Sequence, residues 1–125
     1  MICDTTFLSD LRREREHSRF GPATEFLRRH RGQPLLVTVI TAGEIAVVFD
    51  SNADARSFLK PYRMLRLTPE IALTAAVLER ELIATGERLG ENDNWIAGFC
   101  RYYGQPIISR DRAFDRVRGL RRLTY

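Results

Sequence analysis

The chain has 125 residues, a formal net charge of +4 and a sequence pI of about 9.6. Its length fits one domain over residues 1–125 and is enough to bury a core without disulfides. A hydrophobic content of 44% beside 29% charged residues is typical of a water-soluble globular protein. No apolar run approaches the roughly 20 residues of a membrane span, so no membrane association is expected.

The cysteines and the basic residues indicate the redox compartment and the kind of ligand that the protein could bind. Cys3 and Cys100 lie in apolar segments, which favours buried free thiols in a reducing compartment over a disulfide. Asp4 interrupts the apolar start, so no secretory signal is expected and a cytoplasmic location is predicted. Lys60 is the only lysine, and arginine suits bidentate phosphate contacts. The charge is therefore permissive for nucleic acid, with a merely soluble basic surface as the alternative.

The first third of the chain predicts a strand and two helices. Residues 1–3 are apolar and end at Asp4, which is typical of a short strand. Residues 5–11 begin a helix, and residues 12–19 are polar enough for an exposed helix end or loop. A second helix is marked by one apolar face, formed by Phe20, Ala23 and Leu27.

The middle of the chain contains the strongest strand pattern. Residues 35–40 are a continuous β-branched and aliphatic run, as in a strand covered on both faces. Thr41 is predicted to cap a following helix that holds Glu44, Ile45 and Val48. Residues 52–59 predict another short helix, and residues 62–67 a weak edge strand.

Two longer helices and two strands are predicted in the remainder. Thr68-Pro69 predicts a helix start, since a hydroxyl cap precedes proline at the first helical position. The core-facing residues of that helix are Ile71, Ala75, Leu78 and Leu82, and Gly86 ends it. The next helix begins near Asn92 and ends at Gly104, with one face formed by Trp95, Ile96, Phe99, Cys100 and Tyr103. Residues 106–109 predict a strand, and residues 120–123 a possible last one.

Strands that alternate with helices predict an α/β fold with a mainly parallel sheet. In such sheets ligands bind at the carboxyl ends of the strands, near a switch in strand order. Four acids are predicted at that edge: Asp4, Glu44, Asp93 and Asp111. Carboxylates gathered at close range repel one another, and a hard divalent cation removes that cost. The pattern therefore predicts a metal site able to activate water against a phosphodiester.

Each acid also has a structural interpretation. Asp4 and Asp93 are candidate helix caps, and Asp111 is a candidate turn residue. Glu44 is harder to explain this way, because it sits among apolar residues after a predicted buried strand. Asp115 and Glu91 are spare acids beside the motifs, and whether either joins the site stays open. His17 and His30 lie in polar stretches, and neither is expected to be catalytic.

Four short motifs resemble those of PIN domains. They are residues 4–8 (DTTFL), 41–45 (TAGEI), 90–97 (GENDNWIA) and 109–114 (SRDRAF). They occur in the family's order and span nearly the whole chain, and the compact size resembles the VapC-type toxins of toxin–antitoxin pairs. The departures are small: Thr6 stands where asparagine or serine is more usual, and Gly43 directly precedes the glutamate.

The resemblance implies a three-layer α/β/α sandwich with a mainly parallel sheet of four to five strands. It implies an endoribonuclease that uses Mg²⁺ or Mn²⁺. Asp4 and Asp93 would be the principal metal ligands, and Glu44 and Asp111 would complete the catalytic pocket. Supporting polar roles would fall to Thr6 and Ser109. The resemblance further implies a homodimer and a cognate antitoxin that blocks the pocket.

Other functions remain as alternatives. A PIN-like module could bind RNA or a protein partner with little or no nuclease activity. A phosphoacceptor receiver domain would need a late lysine, and a haloacid-dehalogenase-like phosphatase would need an acid where Thr6 stands. Arg110 and Arg112 flank Asp111 and are candidates for substrate phosphate, with solubility as the simpler explanation.

Overall fold

The computed structural model describes all residues from 1 to 125. It contains six α-helices, five short strands and one 3₁₀ helix. In chain order these are β1 (Ile2–Cys3), α1 (Thr5–Glu16), α2 (Pro22–Arg29), β2 (Leu36–Thr38), α3 (Val39–Ala46), α4 (Asn52–Leu59), β3 (Arg63–Leu65), α5 (Pro69–Ala84), α6 (Glu91–Tyr103), β4 (Ile107–Ile108), the 3₁₀ helix (Arg112–Arg116) and β5 (Arg122–Leu123). No helix is long and apolar enough to cross a membrane.

The five strands form one sheet in the order β3-β2-β1-β4-β5, and every pair is parallel. Ile2 in the central strand is in register with Leu36 on one side and Ile107 on the other. The predicted α/β class with a parallel sheet is thus confirmed. Because all strands point the same way, all five carboxyl ends meet at one edge of the sheet.

Two apolar cores lie on opposite faces of the sheet, as the alternation of side chains along each strand requires. Ile2 and Ile107 pack with residues of α5 and α6, including Leu78 and Phe99. Cys3 and Ile108, the next residues along, join the other core, which contains Phe7, Leu11 and Phe26 of α1 and α2 and Ile45 of α3. The predicted three-layer sandwich is confirmed, and both cysteines are buried and free as expected.

The predicted start of α5 is confirmed in detail. The Thr68 hydroxyl accepts a hydrogen bond from the Ile71 backbone N–H at 3.4 Å, and Pro69 takes the first helical position. The predicted core face of this helix is buried at all four positions: Ile71, Ala75, Leu78 and Leu82. At the other end of the next helix, Gly104 adopts a left-handed φ of 60° and terminates α6, again as predicted.

The strand predicted over residues 35–40 is only partly correct. Strand β2 ends at Thr38, and Val39 already belongs to α3. Thr38, not Thr41, caps that helix, since its hydroxyl accepts the Thr41 N–H at 3.0 Å. The helix therefore begins three residues earlier than predicted. It ends at Ala46, which leaves Val48 outside it.

One further apolar assignment was wrong, and one residue of a correctly predicted helix is more exposed than its neighbours. Phe20 precedes α2 and is 68% exposed, because Gly21 and Pro22 start the helix only after it. Tyr103 belongs to α6 but is 40% exposed at its last position, next to the terminating Gly104. Helical spacing marks a face, and the position of the helix end decides how much of that face is covered.

Candidate active site

The acidic residues lie at the carboxyl edge of the sheet, where the strand order switches from one side of β1 to the other. From β1 the chain proceeds to β2 and β3 on one side, and later to β4 and β5 on the other. Asp4 directly follows β1, and Ser109 directly follows the adjacent strand β4. This switch point at the carboxyl edge is the usual ligand position of an open parallel sheet.

Asp4 is the most buried of the four acids. It is 5% exposed and caps α1, with one carboxylate oxygen accepting the Thr5 N–H at 2.7 Å. The other oxygen accepts the Ser109 hydroxyl at 2.7 Å. Burial raises the pKa of Asp4, the two hydrogen bonds oppose that rise, and the charges of Glu44 and Asp111 add to it. The capping interpretation is therefore true of Asp4 without removing it from the site.

Glu44 projects from α3 and is held by two other helices. One oxygen accepts a short hydrogen bond from the Thr5 hydroxyl, and the other accepts the Asn92 side-chain amide at 2.7 Å. Thr5 and Asn92 were not assigned these roles from sequence. The only signal was their position beside Asp4 and Asp93, because the bonds join residues 39 and 48 positions apart.

Asp93 is the third residue of α6 and is not its cap; the cap is Gly90. Its carboxylate makes no hydrogen bond to another group of the protein and lies over Gly90, where a Cβ would come within 3.3 Å of it. The pKa of Asp93 is raised to about 6, first by burial and then by the charges of Asp4, Asp111 and Glu44. These three acids therefore act electrostatically on a fourth that has no compensating partner.

The asparagines on either side of Asp93 fix the start of α6. Asn92 bonds Glu44, and Asn94 is buried and donates to the Ala75 carbonyl in α5 at 3.1 Å. The helix is thus joined to α3 on one side and to α5 on the other. Asp93 lies between these attachments, with its carboxylate free.

Asp111 is exposed and caps the 3₁₀ helix by accepting the Ala113 N–H at 2.8 Å. Its own N–H donates to the Ser109 hydroxyl at 3.0 Å. Ser109 is fully buried and so connects Asp4 to the Asp111 backbone. The predicted turn role of Asp111 is correct, and its charge still reaches Asp93.

No arginine, lysine or histidine forms an ion pair with any of these four acids: Asp4, Glu44, Asp93 and Asp111. As the side chains stand, no three His, Cys, Asp or Glu residues form a group that could hold a metal ion. The donor set nonetheless fits a hard divalent cation, because it offers only oxygen and carries uncompensated negative charge. Asp93 in particular has both carboxylate oxygens free of hydrogen bonds within the protein.

The other residues singled out from the sequence have more varied surroundings. Thr6 is exposed and its side chain makes no hydrogen bond. Asp115 is paired with Arg122 at 2.8 Å, and Glu91 is exposed. His17 and His30 each bond a backbone carbonyl of the preceding helical turn. Arg110 pairs with Asp10, and Arg112 is exposed.

These features define the class: an α/β protein with an all-parallel sheet and an acidic site at the switch point. The PIN domain family model matches residues 1–120. The chain belongs to the PIN domain family, as its motifs predicted. A comparison with curated proteins gave no match.

Solved structures with the same fold include VapBC2 from Rickettsia felis bound to a DNA fragment from the VapBC2 promoter. That match has a TM-score of 0.79 at 15% identity and covers 98% of this chain and 96% of the other. DNA-bound VapBC from Salmonella typhimurium matches with a TM-score of 0.78 at 22% identity, over 98% and 96% of the two chains. FitAcB from Neisseria gonorrhoeae matches with a TM-score of 0.76 at 17% identity, over 98% and 95%.

Proposed function

We propose that this protein is a divalent-metal-dependent endoribonuclease and the toxin of a type II toxin–antitoxin pair. The observation that carries the proposal is the acidic pocket: burial and then the charges of three acids raise the pKa of Asp93, and no basic residue forms an ion pair with any of the four. A cluster of this kind is costly for a fold to keep unless a cation completes it. Membership of the PIN domain family supports the proposal that the reaction is that of a nuclease.

Asp4 and Asp93 are the proposed ligands of Mg²⁺ or Mn²⁺, with Glu44 and Asp111 completing the pocket directly or through water. When bound, such an ion lowers the pKa of a water and stabilises charge on the leaving oxygen. Mg²⁺ keeps several waters and needs only one or two carboxylates, which fits a site with two principal ligands.

The protein's own residues position these acids. Ser109 and the Thr5 N–H orient the two oxygens of Asp4. The Thr5 hydroxyl and Asn92 orient Glu44. These bonds leave the remaining lone pairs of both carboxylates in fixed directions before any ligand arrives. Thr6 stays a proposed supporting residue, and Arg110 and Arg112 stay proposed contacts to substrate phosphate.

The proposed partners are an RNA substrate, a small antitoxin and a second copy of the chain. Four of the solved structures with this fold are of VapBC proteins, and another is a toxin–antitoxin complex from Klebsiella pneumoniae. These structures support an antitoxin partner. That the antitoxin blocks the acidic pocket, and that the chain forms a homodimer, are proposals that rest on the family resemblance. We propose that residues 1–125 act as a single domain in the cytoplasm.

A test of the nuclease assignment is cleavage of structured RNA by the purified protein. We expect cleavage with Mg²⁺ or Mn²⁺, none with EDTA, and recovery when metal is added back. Asp4→Asn should abolish cleavage while the far-ultraviolet circular dichroism stays unchanged. If the folded Asp4→Asn protein cut RNA as fast as the parent, the assignment would be wrong.

The toxin assignment needs a separate experiment. Expression of the chain should arrest growth, and co-expression of the small protein encoded next to it should relieve the arrest. The two proteins should also co-purify. Cleavage without growth arrest or a neighbouring inhibitor would leave a nuclease that is not a toxin.

One observation favours a second candidate, a PIN-like module that binds RNA or protein with little or no nuclease activity. As the side chains stand, no three acids are arranged to hold an ion. In that case the protein should bind RNA equally well with and without metal and cleave none. Binding and cleavage measured on the same RNA separate the two candidates.

A further inference from the structure

A second pocket, mostly charged, lies at the far end of α1, close to Arg110. Its volume is about 350 Å³. The residues that matter here come from the last turns of α1, the connection to α2 and the segment after β4. They are Asp10, Arg13, Glu14, His17, Arg19 and Arg110.

The two acids of this pocket are already engaged within the fold. Glu14 accepts the backbone N–H groups of Ala23 and Thr24 at 3.0 and 2.7 Å, so it serves the start of α2. Asp10 accepts the Tyr125 hydroxyl at 2.8 Å and pairs with Arg110 at 3.2 Å. Asp10 and Glu14 offset part of the charge of the three arginines, and the pocket keeps a net positive charge.

Arg110 is held in place before any ligand binds. Its guanidinium carbon lies 4.4 Å from the centre of the Tyr125 ring, and Asp10 holds one of its nitrogens from the side. Tyr125 itself packs edge-on against Phe7 in the core, with ring centres 4.9 Å apart. A guanidinium fixed on a ring loses less side-chain freedom when it binds an anion.

The remaining basic groups of the pocket are free to bind a ligand. Arg13 is 72% exposed at its side chain and only 3.9 Å from Asp10, which is a weak pairing. Arg19 makes no ion pair. His17 donates its Nδ1–H to the Arg13 carbonyl, so the donors left for a ligand are those of the arginines. The pocket thus offers several N–H donors and no apolar wall for a nucleobase.

We propose that this pocket binds a backbone phosphate of the RNA strand whose scissile phosphodiester lies at the acidic site. The inference rests on the proposed nuclease function and adds the path of the RNA strand over the protein surface. Arg110 is the link, because it contributes to the pocket and directly precedes Asp111 in the chain. An RNA strand that runs from the acids along α1 would meet Arg110 first and then Arg13 and Arg19.

The test measures RNA affinity separately from cleavage. A fluorescein-labelled oligouridylate is titrated with protein in EDTA, so that nothing is cut, and anisotropy reports binding. The pocket variant is Arg13→Ala/Arg19→Ala. Its matched control is Arg56→Ala/Arg121→Ala, which removes the same charge from exposed arginines outside the pocket.

We expect the pocket variant to bind about tenfold more weakly than the parent at low salt, and the control to change little. The slope of log affinity against log salt should fall by about 1 for each phosphate that the variant no longer binds. Equal affinities for the two variants would overturn the proposal, as would a protein that does not bind the RNA at all. If the parent binds but never cleaves with metal, the nuclease assignment fails while the binding result still decides the pocket.

Discussion

At the scale of single residues, the four acids differ in how they are held. Asp4 is fixed by two hydrogen bonds and Glu44 by two others, whereas Asp93 has none. Burial, and then the charges of the three other acids, raise the pKa of Asp93 to about 6, and no hydrogen bond opposes that rise. This difference makes Asp93 the most informative residue to change.

The first prediction concerns stability against pH without metal. The pKa of Asp93 is about 6 in the folded protein against an ordinary value of 3.8. Its contribution to stability is therefore full when the residue is protonated, below the unfolded pKa, and is lost as pH rises through about 6. Asp93→Asn mimics the protonated form. Urea unfolding should find the parent and variant similar near about pH 4, and the variant more stable near about pH 7.5.

Asp50→Asn is the matched control, because Asp50 is exposed and lies outside the pocket. It should leave the pH profile of the parent unchanged. Added Mn²⁺ should then stabilise the parent and the control more than Asp93→Asn. A parent and an Asp93→Asn protein with parallel pH profiles would show that the acids do not interact as described.

The second prediction concerns Ser109. Its buried hydroxyl donates to Asp4 and accepts the Asp111 N–H, so Ser109→Ala leaves both without that partner. Loss of a partner by a buried polar group costs about 1–3 kcal/mol. We expect the free energy of unfolding to fall by that amount, whereas Ser57→Ala on the exposed face of α4 should have little effect. Equal unfolding midpoints for the two variants would contradict the role given to Ser109.

Local patterns predicted which acids meet at the edge, and they missed the residues that orient them. Asp4 and Asp111 follow strands, which places them from sequence alone. Thr5 and Asn92 act across helices that are distant in sequence, so no local pattern contains their bonds to Glu44. These contacts depend on how distant helices pack together, and a single sequence does not reveal that packing.

At the scale of elements, the closeness of α5 and α6 depends on small residues. A Cβ at Gly98 would lie 2.7 Å from the Ala75 Cβ and 3.1 Å from its backbone Cα. Backbone cannot move aside as a flexible side chain can. The two helices must therefore separate if Gly98 gains a methyl group, and Asn94, which bonds the Ala75 carbonyl, would be disturbed with them.

The third prediction follows from this close approach. Gly98→Ala should destabilise the protein, because overpacking costs about 1–3 kcal/mol, more than the roughly 1 kcal/mol of helix propensity that alanine adds. Gly43→Ala is the control: nothing lies within 4 Å of a Cβ there, so the same substitution in α3 should stabilise by up to about 1 kcal/mol. Thermal unfolding of the two variants compares them. A stabilised Gly98→Ala protein would contradict the tight packing of the two helices.

The boundary between β2 and α3 shows where prediction from pattern stopped. The apolar run over residues 35–40 fits a buried strand, yet the chain turns into a helix after Thr38. Two threonines compete to cap the helix, and the sequence does not say which hydroxyl satisfies the free N–H groups. By contrast, the start of α5 was predictable, because Thr68 can cap the helix and Pro69 fits only its first turn.

At the scale of the whole molecule, charge is divided between two regions: the acidic residues at the start of α1 and the arginine-rich pocket towards its other end. The acidic pocket has no ion pair, and the pocket at the end of α1 is rich in arginine. On the proposed function, the arginine-rich pocket would attract the negative RNA backbone, and the proposed cation would let the acids accept a phosphodiester. The overall charge of +4 conceals this division, which only the fold reveals.

The most direct test of the proposed metal site is the metal dependence of RNA cleavage for three proteins: the parent, Asp93→Asn and Asp50→Asn. The rate on one structured RNA is measured as Mn²⁺ is raised from zero in metal-free buffer. We expect saturable cleavage by the parent and by Asp50→Asn, and none by folded Asp93→Asn at any concentration. Cleavage that needs no metal, or that survives loss of the Asp93 carboxylate, would contradict the proposed metal-dependent nuclease.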